Sequence, residues 1–285
     1  RIGTLAFAPD LRRAFLYVEA LGGAVPASAR VTLDGISLGR EVRWLGRAPA
    51  AGVRVAVVTP RQPFEQGRPH TFRVTAGERV VGATLRAFTG LARFGTYGYA
   101  DLARYASAGV NAYAGFGQLK KASLDRAWAL GERVAMTVGI EAEPPAETVG
   151  HPALFGYLIS DEPDCQDYGA DKERPMHLRI GTLGQKMVRS AEICARADAR
   201  TPTRITTDLT FTPANYFVYS PISDVPNSDC YPVTIGWPIQ AIREKAAAVK
   251  RASAPRPFTF TYQGCWEECA IPQPTWIGRA AIRRE

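Results

Sequence analysis

Short runs in which apolar and polar positions alternate dominate the first 88 residues. Representative runs are Ala14–Val18, Arg30–Leu33, Val53–Val58 and Thr71–Val74. Alternation of this kind places every second side chain on one face of a β-strand. The pairs Gly22-Gly23, Asp34-Gly35 and Ala76-Gly77 separate the runs and favour turns. Several short strands without a helical period predict an immunoglobulin-like antiparallel β-sandwich over residues 1–88.

From residue 89 onwards, helical patterns alternate with short apolar runs. Helices are predicted at 99–109, 123–128, 175–197 and 239–251. Strands are predicted at 91–94 and in the segments ending near Ala114, Val138, Ser160, Asp208, Asp229 and Tyr262. This alternation of predicted helices and strands is typical of βα units and a parallel sheet, so we expect a second domain over residues 89–285.

The seven predicted strands are one fewer than a closed (β/α)8 TIM barrel requires. Closure removes the unpaired edges of a sheet, so the missing eighth strand favours a barrel truncated at its C-terminus. The chain also begins at Arg1 without Met and ends within a helix-like pattern, so we expect both ends to be cut. The alternative is an open doubly wound sheet, but no Gly-rich phosphate loop follows the first strand.

Composition excludes several classes of protein. The chain has 285 residues, 46% of them hydrophobic, and can bury a core. Its net charge of +8 comes from 35 basic and 27 acidic residues that are scattered, which favours a solvated basic surface over nucleic-acid binding. No apolar stretch approaches the ~18–20 residues of a membrane span. We expect an extracellular or periplasmic location only if a longer chain carries a signal peptide, and the sequence indicates no cofactor.

Polar residues cluster where the predicted parallel strands end. They are Asp161 and Glu162 after the fourth strand, Asp208 after the fifth, Asp229 and Tyr231 after the sixth, and Gln263, Trp266, Glu267 and Glu268 after the seventh. The carboxyl ends of barrel strands face one shared mouth. Carboxylates there supply acid, base and nucleophile in glycoside hydrolysis, and aromatic faces pack against sugar rings.

The segment His151–Pro163, which reads HPALFGYLISDEP, resembles the fourth-strand motif of clan A-type glycoside hydrolase barrels. In those families the Glu before Pro is the general acid/base. The resemblance implies that role for Glu162, with Asp161 orienting it or binding a sugar hydroxyl. More loosely, Asp101–Asn111 is similar to the first helix of these barrels, and Asp229–Pro232 resembles their Asp-x-Tyr-Pro element. The resemblance as a whole extends over most of residues 90–285, and only its fourth-strand motif is reasonably specific.

One position departs from the family pattern. Retaining members carry a nucleophilic Glu at the end of the seventh strand, where this chain has Gln263. Glu267 or Glu268 could supply the second carboxylate, or Asp208 or Asp229 could act through water as an inverting base. A carboxylate in the missing strand is a further alternative, as is a barrel that binds sugar without hydrolysis.

Each candidate also has a structural interpretation. Asp161 and Glu162 could cap a loop or pair with Arg, but two acids directly after an apolar strand are costly without a function. Trp237 and Trp266 suit loop packing as well as sugar stacking. The five cysteines include Cys265 and Cys269, which could bind metal with Cys230 and Cys165. Their spacing and the scarcity of His favour a disulfide or buried thiols, so no metal site is predicted.

The resulting hypothesis is a hydrolase of poly- or oligosaccharides with Glu162 as general acid/base. Substrate contacts are expected from Asp208, Asp229, Tyr231, Gln263, Trp266 and Glu267. The N-terminal sandwich would be an accessory domain. The alternative is a non-catalytic carbohydrate-binding or structural barrel domain of a multidomain surface protein. The sequence leaves the oligomeric state open.

Overall fold

The computed structural model describes residues 1–20, 23–46, 50–89, 95–97, 102–107, 112–118, 120–169, 178, 181–208, 216–232, 238 and 240–262. The N-terminal part forms eight strands: β1 Ile2–Phe7, β2 Ala14–Glu19, β3 Arg30–Leu33, β4 Ile36–Ser37, β5 Val42–Trp44, β6 Val53–Val58, β7 Pro69–Ala76 and β8 Arg79–Arg86. They build two antiparallel four-stranded sheets, ordered β1-β2-β6-β5 and β4-β3-β7-β8.

The two antiparallel sheets share one hydrophobic core. Leu5 and Leu16 of the first sheet lie in the same buried cluster as Val31, Phe72 and Val74 of the second. Alternate positions of β2 are buried, as the sequence pattern predicted. This part of the chain is therefore sandwich-like.

The second part alternates helices with parallel strands. Its strands are β9 Gly95–Tyr97, β10 Ala112–Gln118, β11 Arg133–Thr137, β12 Leu154–Asp161, β13 Thr203–Asp208, β14 Asn227–Cys230 and β15 Thr259–Tyr262. Its α-helices are α1 Leu102–Ser107, α2 Lys121–Ala129, α3 Pro163–Gly169, α4 Gly184–Ala197, α5 Tyr216–Tyr219 and α6 Ala241–Ser253. The strand predicted at 91–94 lies outside the described residues.

The prediction of an immunoglobulin-like sandwich followed by an incomplete (β/α)8 barrel is wrong as a description of this fold, although the first part is sandwich-like. The parallel strands form a seven-stranded sheet in plain sequence order, from β9 at one edge to β15 at the other. Within the described residues the two edge strands do not pair with each other, so the described part of the sheet is open. The alternation of helices and strands specifies parallel neighbours, but it does not specify closure.

The antiparallel and parallel parts meet at a polar contact. Arg86, at the end of β8, donates through Nε to Oδ1 of Asp224 at 3.0 Å and through Nη2 to Oδ2. Its Nη1 donates to the carbonyl of Ala199 at 3.0 Å. Gly67 lies beside the same carbonyl and has a φ of +82°. An added Cβ would lie 2.0 Å from the Ala199 oxygen, so no other residue fits at this position without movement of the backbone.

The boundary predicted between residues 88 and 89 stays a prediction. It falls between the last antiparallel strand, which ends at Arg86, and the first parallel strand, which begins at Gly95. Among the helices that the structure describes, none combines the length and apolarity needed to cross a membrane.

Candidate active site

Three predicted acids come together at the carboxyl end of the parallel sheet. Glu162 follows β12, Asp208 ends β13, and Asp229 lies opposite Asp208 in the register of β13 and β14. One carboxylate oxygen from each of the three lies within 4.8 Å of the other two. We refer to these three residues as the acidic cluster. Asp161 precedes it as the last, half-buried residue of β12.

The backbone turns sharply at Glu162. Its φ of 44° lies in the left-handed region that non-glycine residues seldom adopt. Its N–H donates to the carbonyl of Thr206 at 2.9 Å, which ties the turn to β13. Pro163 then begins α3, since proline suits the first position of a helix. The turn places the Glu162 side chain at the sheet end.

The first turn of α3 holds Asp208 in place. Asp164 Oδ1 accepts a hydrogen bond from the backbone N–H of Asp208 at 3.1 Å. The thiol of Cys165 donates to Asp208 Oδ2, also at 3.1 Å. Neither contact was predicted from the sequence. Pro163 could have indicated them, because a helix that begins there puts the next two residues in its first turn.

Burial and mutual repulsion shape the electrostatics of the acidic cluster. Burial, and then the charges of Asp161 and Asp208, raise the pKa of Glu162. Burial, and then the charges of Glu162 and Asp208, raise the pKa of Asp229, which is 1% exposed. Two carboxylates 4.8 Å apart, the upper limit of these separations, repel by about 3.5 kcal/mol at an effective dielectric constant of 20.

Asp164 is a further buried acid next to the acidic cluster. Burial raises the pKa of Asp164 to about 7, although its hydrogen bond from the Asp208 N–H opposes the shift. The pKa values of Glu162, Asp164 and Asp229 are therefore all raised, which favours the protonated forms of these three groups.

The two oxygens of Asp229 differ in their surroundings. Oδ2 accepts a hydrogen bond from the hydroxyl of Tyr231 at 3.3 Å. Oδ1 is buried and accepts no hydrogen bond from any residue in the part of the chain that is described. Tyr231, predicted as a substrate contact, thus lies at the acidic cluster. Three carboxylates with a free buried oxygen could also hold a hard cation.

Several predicted residues lie outside the described residues: Gln263, Trp266 and Glu267, together with Trp237, Glu268, Cys265 and Cys269. Their roles stay predictions. Cys165, Cys194 and Cys230 are free thiols.

No protein-family model and no curated protein matches the sequence. Among solved structures, the chain is similar to an FMN-binding β-glucuronidase from Facaelibacterium prausnitzii L2-6, with 11% identity and a TM-score of 0.44 over 91% of this chain and 47% of that one. It is also similar to β-glucuronidase 2 of Bacteroides uniformis, with 12% identity and a TM-score of 0.46 over 90% of this chain and 39% of that one. The chain therefore spans less than half the length of either glucuronidase. Similarity at this level does not assign it to a family.

Proposed function

We propose that the chain hydrolyses glycosidic bonds in an oligo- or polysaccharide, with Glu162 as the general acid/base. The observation that carries the proposal is the acidic cluster, in which Glu162 lies within 4.8 Å of Asp208 and Asp229 at the end of a parallel sheet. Glycoside hydrolysis needs two carboxyl groups of this kind, one to protonate the leaving oxygen and one ionised.

The environment of each group supports a division of roles. Burial and the neighbouring carboxylates raise the pKa of Glu162, which favours the protonated form that a general acid requires. Asp208 is held in position by Cys165 and Asp164, which suits a nucleophile. One oxygen of Glu162 lies within 4.8 Å of one oxygen of Asp208, which is compatible with the ~5–5.5 Å between the carboxyl groups of retaining pairs and shorter than the ~6.5–9.5 Å of inverting pairs. We therefore assign the second carboxylate to Asp208.

The remaining residues are proposed to hold the substrate. Asp161 would orient Glu162 or bind a sugar hydroxyl, and the Tyr231 hydroxyl would contact the sugar beside Asp229. Gln263, Trp266 and Glu267 keep the substrate contacts predicted for them from the sequence.

A panel of aryl glycosides and oligosaccharides tests the proposal. Wild-type protein should hydrolyse at least one member, and Glu162→Gln should lower kcat by about 10²–10⁴-fold because the proton donor is lost. Sugar binding, measured by calorimetry, should persist in the variant. Glu147→Gln is the matched control, since Glu147 is exposed on a short 3₁₀ helix and should leave the rate unchanged. Sugar binding without hydrolysis by wild-type protein would instead identify a carbohydrate-binding module.

A further inference from the structure

We propose that Glu162, Asp208 and Asp229 bind a divalent cation, with Ca²⁺ preferred over Mg²⁺, and that the bound cation inhibits the hydrolysis proposed above. The binding site is inferred from the geometry of the acidic cluster together with the buried, unpartnered Oδ1 of Asp229. The inhibition rests on the proposed function, because Glu162 cannot both hold the cation and act on a substrate.

The ligand set is that of a hard cation. All three groups offer carboxylate oxygens, which suit Ca²⁺ and Mg²⁺ rather than softer metals. One oxygen of each lies within 4.8 Å of the others. Ca²⁺–oxygen distances of about 2.3–2.6 Å allow two ligands to lie up to about 5 Å apart across the ion, whereas Mg²⁺, at about 2.0–2.1 Å, spans only about 4.2 Å. The existing spacing therefore accommodates Ca²⁺ with little movement.

A second observation points to a ligand at the same place. Asp229 is 1% exposed, and its Oδ1 has no hydrogen-bond partner among the described residues. Its other oxygen accepts from Tyr231, so Oδ1 is the oxygen left to meet a ligand. A buried carboxylate oxygen without a donor or cation is strongly unfavourable. A cation among the three carboxylates would satisfy this oxygen and offset their repulsion.

The position on the sheet supports the same conclusion. Asp208 and Asp229 are direct neighbours in the parallel register, so two rigid strands fix their spacing. Glu162 is tied to the same strands by its N–H bond to Thr206. The three ligands are therefore preorganised, and little chain ordering opposes binding.

Calorimetry and thermal melting of the whole chain, first treated with EDTA, test the site with Ca²⁺ alone and Mg²⁺ alone. We expect one Ca²⁺ per chain, a Tm that rises with Ca²⁺, and Mg²⁺ affinity at least about tenfold lower. Asp208→Asn and Asp229→Asn should each weaken Ca²⁺ binding at least about tenfold through the lost charge. Glu147→Gln should bind as wild type does.

The variants also carry their own folding control. Because each Asn removes a repelling charge, both variants should melt no lower than wild type without cation, so lost binding cannot be attributed to unfolding. Wild-type protein that gives neither heat nor a Tm shift with Ca²⁺ overturns the site. Equal affinity in wild type and both Asn variants overturns it as well.

Ca²⁺ binding and glycoside hydrolysis are measured in separate experiments, so failure of one proposal can be distinguished from failure of the other. If Ca²⁺ binds but no glycoside is hydrolysed, the proposed function fails and the cation site stands. If hydrolysis occurs and saturating Ca²⁺ lowers its rate at least about tenfold, the inhibition is supported. An unchanged rate at saturating Ca²⁺ refutes the inhibition.

Discussion

Replacing Arg86 by Met should test how the antiparallel and parallel parts of the chain are joined. Arg86 donates twice to Asp224 and once to the carbonyl of Ala199. The side chains of Arg86 and Asp224 are only 15% and 16% exposed. The substitution keeps the aliphatic stem but removes the charge, which leaves Asp224 largely buried without its bidentate partner.

The expected cost follows from this burial. Removing one partner of a buried ion pair costs about 3–5 kcal/mol. The residual exposure of the pair and the nearby charge of Arg256, which also acts on Asp224, favour the lower end. Asp224 also keeps its hydrogen bonds from the backbone and hydroxyl of Thr203, both at 2.8 Å. We therefore expect Arg86→Met to lower the free energy of unfolding by about 3 kcal/mol.

Urea denaturation followed by circular dichroism would measure this value, in a double-mutant cycle with Asp224→Asn. A coupling free energy of at least about 2 kcal/mol is expected for directly bonded partners. Arg79→Met is the matched control, because Arg79 begins the same strand and is exposed. A loss below about 1 kcal/mol for Arg86→Met, or additive single substitutions, would refute the assigned role of the contact.

Two further substitutions address stability near the same junction. Burial acts to raise the pKa of Asp198, but hydrogen bonds, led by that of Thr201, hold it below its ordinary value of 3.8. Its contribution to stability is thus present above about pH 4 and lost as the pH falls through the native pKa. Asp198→Asn should lower the free energy of unfolding at pH 7, and the difference from wild type should disappear in acid. Urea denaturation at several pH values would measure this difference, and a difference that does not change with pH would contradict the prediction. Gly67→Ala should lower the free energy of unfolding by at least about 1–2 kcal/mol more than Gly77→Ala. Both glycines have positive φ, but only at Gly67 would a Cβ meet a backbone atom, the Ala199 oxygen, so equal losses in thermal or urea melts would contradict the argument.

The positions of the acids at the ends of parallel strands could be predicted from the sequence. The apolar run Leu154–Ile159 followed by two acids predicts a buried strand with polar residues at its end. Asp208 and Asp229 likewise lie at the ends of predicted strands. Because the carboxyl ends of parallel strands share one edge, the sequence alone predicts that these acids lie close together.

Long-range features were not predictable in this way. Closure of a barrel depends on the curvature of the whole sheet and on pairing between its first and last strands, and no local pattern encodes either. The contact between Arg86 and Asp224 joins residues 138 positions apart. The hydrogen bond from Cys165 to Asp208 depends on where α3 packs, which hydrophobic periodicity does not specify.

The positive φ of Glu162 bears on how the chain could be stabilised. An L-residue in this region costs about 1–2 kcal/mol relative to glycine, and glycine is the residue that stability alone would favour there. Glu162→Gly should therefore relieve the backbone while deleting the carboxyl group. A search for thermostable variants would therefore tend to select glycine at position 162. Such variants would lose the carboxyl group that the chain keeps although it lowers the free energy of unfolding.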